Sequence, residues 1–263
     1  MQAITFYGFV GRAAFALGAI ACAAKALADV DAPSFDRPGI AFSTSTLAPG
    51  TFDWEQGLPD YQRTSHASVK TTQYSADTLF RIGLTDLWEL QAGSAVANAM
   101  TTRANGSGGA VHGRGDTTVA LKIALPSPWA SFTWAAKGDV TLTDGDKAFA
   151  AAKTGYALGT ALNFAINDAI TAAFYLNANR ADGETSVDIS PSLSFTMTKS
   201  LAGYVECGAN YGSHGVNSVI AGGGLTLLVT HAIQIDFSAD AGLTSKSPRL
   251  TAGAGVSMFF NWR

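Results

Sequence analysis

Arg81, Glu89 and Gln91 are the first residues of this chain whose types and spacing promise chemistry. Phe80, Ile82 and Leu84 alternate with Arg81 and Gly83, and Trp88, Leu90 and Ala92 alternate with Glu89, Gln91 and Gly93. Period two marks two-faced strands, and the short Thr85-Asp86-Leu87 connection folds them into a hairpin with Arg81 opposite Gln91 and diagonal to Glu89. The apolar partners claim one face, so the expected chemistry on the other is an internal ion pair with an amide beside it. The same parity directs Lys122, Lys137, Asn163, Asn177, Asn179, Asp188, Glu206, Asn210, Gln234, Asp236 and Asp240 to the polar face, where Tyr175 and Tyr204 offer aromatic contact. Two roles are open to this set: opposite charges that fill and brace an interior, because buried charges need partners, or the lining of a selective path.

Other chemistries find less support. His66, His112, His214 and His231 all fall in expected loops or turns, so no serine and histidine are set on facing strands as a lipid hydrolase needs. Scattered histidines and an isolated Cys207 give no metal-ligand spacing, and no cofactor is expected. Gly222-Gly223-Gly224 runs into an apolar strand rather than a helix, so it is no phosphate cradle. Nor is there a basic patch with interleaved aromatics to neutralise nucleic-acid phosphates.

The elements that must hold these side chains are strands throughout. Val119, Leu121, Ile123 and Leu125 enclose Lys122; Phe132, Trp134 and Ala136 face away from Thr133, Ala135 and Lys137. The pattern repeats around Asn163, Tyr175, Ser194, Glu206, Thr226 and Asp236, and with a first strand near 51–57 it gives about twelve strands. In the last of them Val256, Met258, Phe260 and Trp262 alternate with Gly255, Ser257, Phe259 and Asn261. An aromatic closing strand beside lipid fits an all-β, transmembrane, antiparallel up-and-down barrel of the outer-membrane kind, in which that strand is also the signal for the barrel-assembly machinery. By this parity Phe260 faces lipid, and an acid placed at Ser257, on the other face, is expected to be tolerated.

Connections alternate as a barrel meander requires. Short turns are expected at 85–87, 126–128, 167–168, 198–201 and 230–231, and longer polar loops at 64–73, 101–115, 139–147, 179–184, 212–218 and 244–248. A soluble sandwich has no reason to keep that rhythm. The composition agrees: 47% of the 263 residues are hydrophobic and 14% charged, yet no second run of about 18 apolar residues exists for a spanning helix.

The front of the chain addresses it for export. Arg12 precedes an apolar stretch from Ala13 to Ala24, and Ala26-Leu27-Ala28 offers a small-residue cleavage site before Asp29. Residues 1–28 are therefore expected to be a cleaved signal peptide, 29–49 a leader or plug, and 50–263 the barrel. Loss of 1–28 removes Arg12, Lys25 and Cys22, leaving 15 basic against 20 acidic residues and no possible internal disulfide. The 29–49 stretch has three prolines and no period, so it is either a disordered periplasmic leader or a plug whose Asp36 and Arg37 meet interior charges.

Several short segments together resemble one family. Asp36-Arg37-Pro38-Gly39, Pro49-Gly50-Thr51-Phe52 with Glu55, Gly83-Leu84-Thr85-Asp86 with Glu89, Gly115-Asp116 with Leu121-Lys122, and Gly224-Leu225-Thr226 with Gly242-Leu243-Thr244 and Gly253 to Phe259 are similar, in order and spacing, to the outer-membrane transporter family named after the MetA pathway of phenol degradation. The resemblance covers most of the mature chain and takes in the Gly115-Asp116 half of an Arg-Gly-Asp tripeptide that otherwise spells an adhesion ligand. It implies a barrel in the Gram-negative outer membrane that passes small hydrophobic or aromatic molecules inward. The expected partners are outer-membrane lipids, the assembly machinery and a small solute. A lipid-modifying enzyme and a structural or adhesive surface barrel are the alternatives. A lumen of about twelve strands lies between side-chain-filled barrels of about eight and open porins of about sixteen.

Overall fold

The computed structural model describes residues 34–105, 107–213 and 215–262; the expected signal peptide and His214 lie outside the described residues. Alternating apolar and polar residues produce fourteen antiparallel elements: β1 (Thr51–Gly57), β2 (Asp60–His66), β3 (Val69–Gly83), β4 (Trp88–Ala104), β5 (Ser107–Gly113), β6 (Thr117–Leu125), β7 (Phe132–Thr141), β8 (Gly155–Asn167), β9 (Ile170–Ala181), β10 (Glu184–Thr196), β11 (Leu201–Gly212), β12 (Gly215–Thr230), β13 (Ile233–Gly242) and β14 (Leu250–Asn261). They make twelve staves. Both β1 and β2 lie between β14 and β3, and both β5 and β6 lie beside β4, so each pair is one stave broken in the middle.

The breaks have local causes. Pro59 follows Leu58 and has no N–H to give a ladder, while the Leu58 amide still donates to Ala254 O at 2.8 Å. In the second broken stave the Gly115 amide donates to Ala95 O, also at 2.8 Å, which carries pairing across residues 114–116. Pairing of β1 with β14, from Thr51↔Asn261 to Gly57↔Gly255, closes the sheet, so that among the described strands only β5, which pairs with β4 alone, keeps an open edge.

Short turns occupy one rim, as the sequence rhythm predicts. At the other rim four of the expected loops are strand instead: ladders run out to His66↔Val69, Ala104↔Ser107, Ala181↔Glu184 and Gly212↔Gly215. His66 and His112 thus sit in β2 and β5 rather than in loops. Beyond the hydrocarbon both faces of a strand tolerate polar residues, so alternation stops while the threonine- and valine-rich ladder continues. Ala67, Asn105 and Asp182 adopt positive φ (51°, 48° and 53°), which lets these hairpins turn tightly. The long connection left at that rim, residues 142–154, is pinned by Asp144, which accepts the Thr117 amide at 2.7 Å and faces Arg114 at 3.2 Å. The Thr117 amide, with the other donors, holds that carboxyl below its ordinary value, so the pin is present above the usual carboxylate range and is lost as pH falls through the lowered value.

Parity holds at the level of the Arg81 cluster and is reset elsewhere by register shifts such as those at Ala76/Asp77, Asn210/Tyr211 and Leu228/Thr230. Phe80, Leu121, Leu158, Val205, Leu225 and Phe237 are exposed on the outer face, whereas Arg81, Glu89, Lys122 and Asp236 are completely buried on the inner one. At the seam Phe52 stacks on Phe80 (5.7 Å) and meets Phe260 (5.8 Å), an aromatic band across the closure. Val256 and Met258 pair with Gln56 and Trp54, and Trp262 projects beyond the last rung, 62% exposed.

Ser257 departs from expectation. It is fully buried and sits directly opposite Glu55 on one side and Gln234 on the other. A carboxylate there is a fully buried charge set directly opposite the like charge of Glu55. Ser257→Asp is therefore expected to lower heat-modifiable barrel more than Phe260→Asp, whose exposed-face acid costs about 2 kcal/mol or less near an interface. Recovery of the unheated band for both variants checks this; a Ser257→Asp barrel as abundant as the unsubstituted protein overturns it.

Candidate functional site

Inside the wall lies residues 34–50, a segment with no ladder of its own. Its backbone amides must find other acceptors, and three inward carboxylates supply them. Glu55 accepts the amides of Asp36 (2.8 Å) and Arg37 (2.7 Å), Glu89 accepts that of Leu47 (2.8 Å), and Glu206 accepts that of Ile40 (3.0 Å). The stem passes so close to the wall that a Cβ on Gly83 would stand 2.1 Å from Ala48 O. Only glycine leaves that space.

Arg81 is the hub. Its Nε and Nη2 donate to the two Glu89 oxygens at 2.9 and 3.1 Å, while Nη1 donates to Asp53 (3.0 Å), Glu55 (3.1 Å) and the carbonyl of Ser34 (3.1 Å). The forked guanidinium serves three carboxylates from one buried position, which an ammonium lacks the geometry to do. Register explains the meeting, because Arg81 is opposite Gln91 across β3 and β4 and opposite Asp53 across β1 and β3. Gln91 donates to Glu89 at 2.7 Å and to Asp36 at 2.9 Å. Lys122 completes the cluster, 3.1 Å from Glu89 and 3.3 Å from Asp36.

A second group forms around Arg37. Its guanidinium bridges Asp60 and Asp236, each at 3.3 Å, and its carbonyl accepts from Gln234 at 3.3 Å. The remaining sequence-selected residues divide by position. Asn163 donates to Thr44 at 3.2 Å, and Lys137 and Tyr175 enclose Phe42. Asp188 accepts from Asn177, Asn179 and Asn210 as a separate cluster on β9 to β11. Asp53 and Glu55, fully buried, join the site without being among the residues expected from the sequence, although their alternation with Phe52 and Trp54 carries the signal.

Two cavities lie on either side of the crest of the segment. One of about 410 Å³ is lined by Phe35, Phe42, Ser194, Tyr204, Thr226 and Leu228, towards the short-turn rim. Another of about 270 Å³ is lined by Asp60, Tyr61, Gln73, Asp240 and Thr251, towards the hairpin rim. Arg37, Pro38, Gly39, Ile40 and Glu206 also line the second cavity, and Arg37, Pro38, Gly39 and Glu206 also line the first, so these four residues stand between them.

Solved structures share this architecture. A crystal structure of an outer membrane channel from Pseudomonas putida F1 aligns with a TM-score of 0.66 at 13% identity, covering 85% of this chain and 99% of that one. The KdgM porin aligns at 0.52 and 11% identity over 80% and 99%, and the translocator domain of autotransporter NalP from Neisseria meningitidis at 0.51 and 11% over 86% and 91%. Likeness at these identities is likeness of fold, that of outer-membrane barrels. No curated protein sequence matches the chain. The sequence profile of one family does match, over residues 35–260, so that both the inner segment and the wall are included: the chain belongs to the family described as "Putative MetA-pathway of phenol degradation".

Proposed function

We propose that this protein is an exported outer-membrane channel for small hydrophobic or aromatic molecules, closed at rest by residues 34–50. One observation carries the reading: the two interior cavities share Arg37, Pro38, Gly39 and Glu206 as lining, and three of these four belong to a segment held by side chains rather than by a β-ladder. Such a segment is displaced without breaking the wall. Arg81, Glu89, Gln91, Lys122, Lys137, Gln234 and Asp236 then line the path, with Tyr175 and Tyr204 as ring contacts; Asn163, Asn177, Asp188, Glu206 and Asp240 line its remainder. The family's description and the likeness to a channel and a porin support the same reading. A hydrolytic alternative gains nothing from Ser65 and His66, which are consecutive in β2 and so point to opposite faces. The closing strand, with Val256, Met258, Phe260 and Trp262, serves as the signal to the assembly machinery, and the exposed outer face meets lipid.

Swelling of vesicles reconstituted with the full chain tests the proposal. Phenol and benzoate should enter faster than sugars of similar mass. Rates no different from those of empty vesicles, with the protein heat-modifiable, overturn it.

A further inference from the structure

Phe42 fills a slot that the wall has cut to the size of a ring. Ala135 and Ala161 form its floor at 0% and 1% exposure, and a Cβ added at Gly159 would come within 3.3 Å of the Phe42 ring. Tyr175 meets the ring edge-on, with centroids 5.6 Å apart at 87°, and the Lys137 ammonium stands 4.6 Å above its centroid. Three small residues on adjacent staves, a tyrosine edge and a cation over the face make an environment specific for an aromatic ring.

Charge makes the site more selective still. Lys122 and Lys137 are directly opposed across β6 and β7, an unfavourable pairing unless an anion stands between them. Lys122 has Asp36 and Glu89 within 4 Å, while among the described residues no carboxylate lies within that distance of Lys137. Asp36 comes from the same segment as Phe42 and is tied to it, accepting the Ser43 amide at 2.8 Å. When the segment leaves, a ring and a carboxylate leave together. What remains on the wall is a ring slot beside two lysines, Lys122 still paired with Glu89, and Lys137 with Asp139 two residues along β7 but no carboxylate within 4 Å among the described residues. The slot adjoins a cavity of about 410 Å³, within the range of ~300–1,000 Å³ of small-molecule sites.

We propose that Tyr175, Lys137 and Lys122 form a wall subsite for a ring-bearing carboxylate, which Phe42 and Asp36 occupy from within while the segment is seated. The inference rests on the channel reading for its purpose, though not for its chemistry. Phe42 thus competes with the solute, and the ligand class is an arene carboxylate rather than a neutral arene or an aliphatic acid.

Titration calorimetry of the purified full chain in detergent, with benzoate as the probe, tests this. Phe42→Ala empties the slot and should bind benzoate about tenfold or more tighter than the unsubstituted protein, with cyclohexanecarboxylate weaker and acetate giving no heat. Adding Lys137→Met to Phe42→Ala should abolish the gain. Phe42→Leu, which keeps the slot partly filled, should lie between and serves if Phe42→Ala loses its heat-modifiable mobility. Equal binding of acetate and benzoate, or a gain that survives Lys137→Met, overturns the subsite. Planar-bilayer current through Phe42→Ala separates the two readings: benzoate heat without current upholds the subsite and overturns the channel, whereas current without benzoate heat overturns the subsite alone.

Discussion

Arg81→Ala is expected to destabilise the barrel by about 3–5 kcal/mol, the cost of leaving buried carboxylates without their cation. The guanidinium lies within 3.1 Å of Asp53, Glu55 and Glu89 and 3.7 Å from Asp36; Lys122 still reaches Glu89 and Asp36 in its absence, but among the described residues Asp53 and Glu55 have no other cation within 4 Å. Two readouts follow. The temperature at which the folded gel band converts to the unfolded one should drop, and current through the surviving barrels should shift towards cations. Glu89→Ala should shift selectivity the opposite way, because Arg81 and Lys122 then face fewer acids. Ions within about 8 Å at physiological salt feel these charges, which confines the effect to solutes passing the segment. Unchanged thermal conversion together with unchanged reversal potentials would sink the hub assignment.

Removal of residues 34–48, with residues 1–33 and Pro49 onward retained, should raise single-channel conductance severalfold while the closed wall survives. The wall keeps its β1–β14 seam without the segment, and the carboxylates that lose amide donors become accessible to lumen water. Gly83→Val is the point-substitution counterpart, since its side chain occupies the space of the Ala48 and Leu47 carbonyls and levers the stem off the wall. Deleted and unsubstituted proteins with the same conductance would mean that the segment does not close the path.

Much of this interior was readable because a strand repeats every two residues and a short turn fixes register. Those two facts suffice to set Arg81 opposite Gln91 and to point both, with Glu89, away from Phe80 and Leu90. Residues 34–50 carry no such period. Their path depends on acceptors contributed by β1, β4 and β11, and neither Phe42 nor the Ala135, Ala161 and Gly159 that receive it differs locally from any other residue of its kind. The strand extensions at the hairpin rim were missed for a different reason: alternation reports lipid, and outside lipid the ladder persists without it.

The way the segment is held also sets an order on folding. Arg37 bridges Asp60 and Asp236, and Ile40 depends on Glu206, partners 199 and 166 residues away for Asp236 and Glu206. Neither contact exists until the last staves are in place, so docking must await a nearly finished wall. The segment that precedes every strand of the wall in sequence is thereby the last to settle. Its seating reports that the far end of the same chain has arrived, which makes a leaky lumen the transient signature of an unfinished barrel.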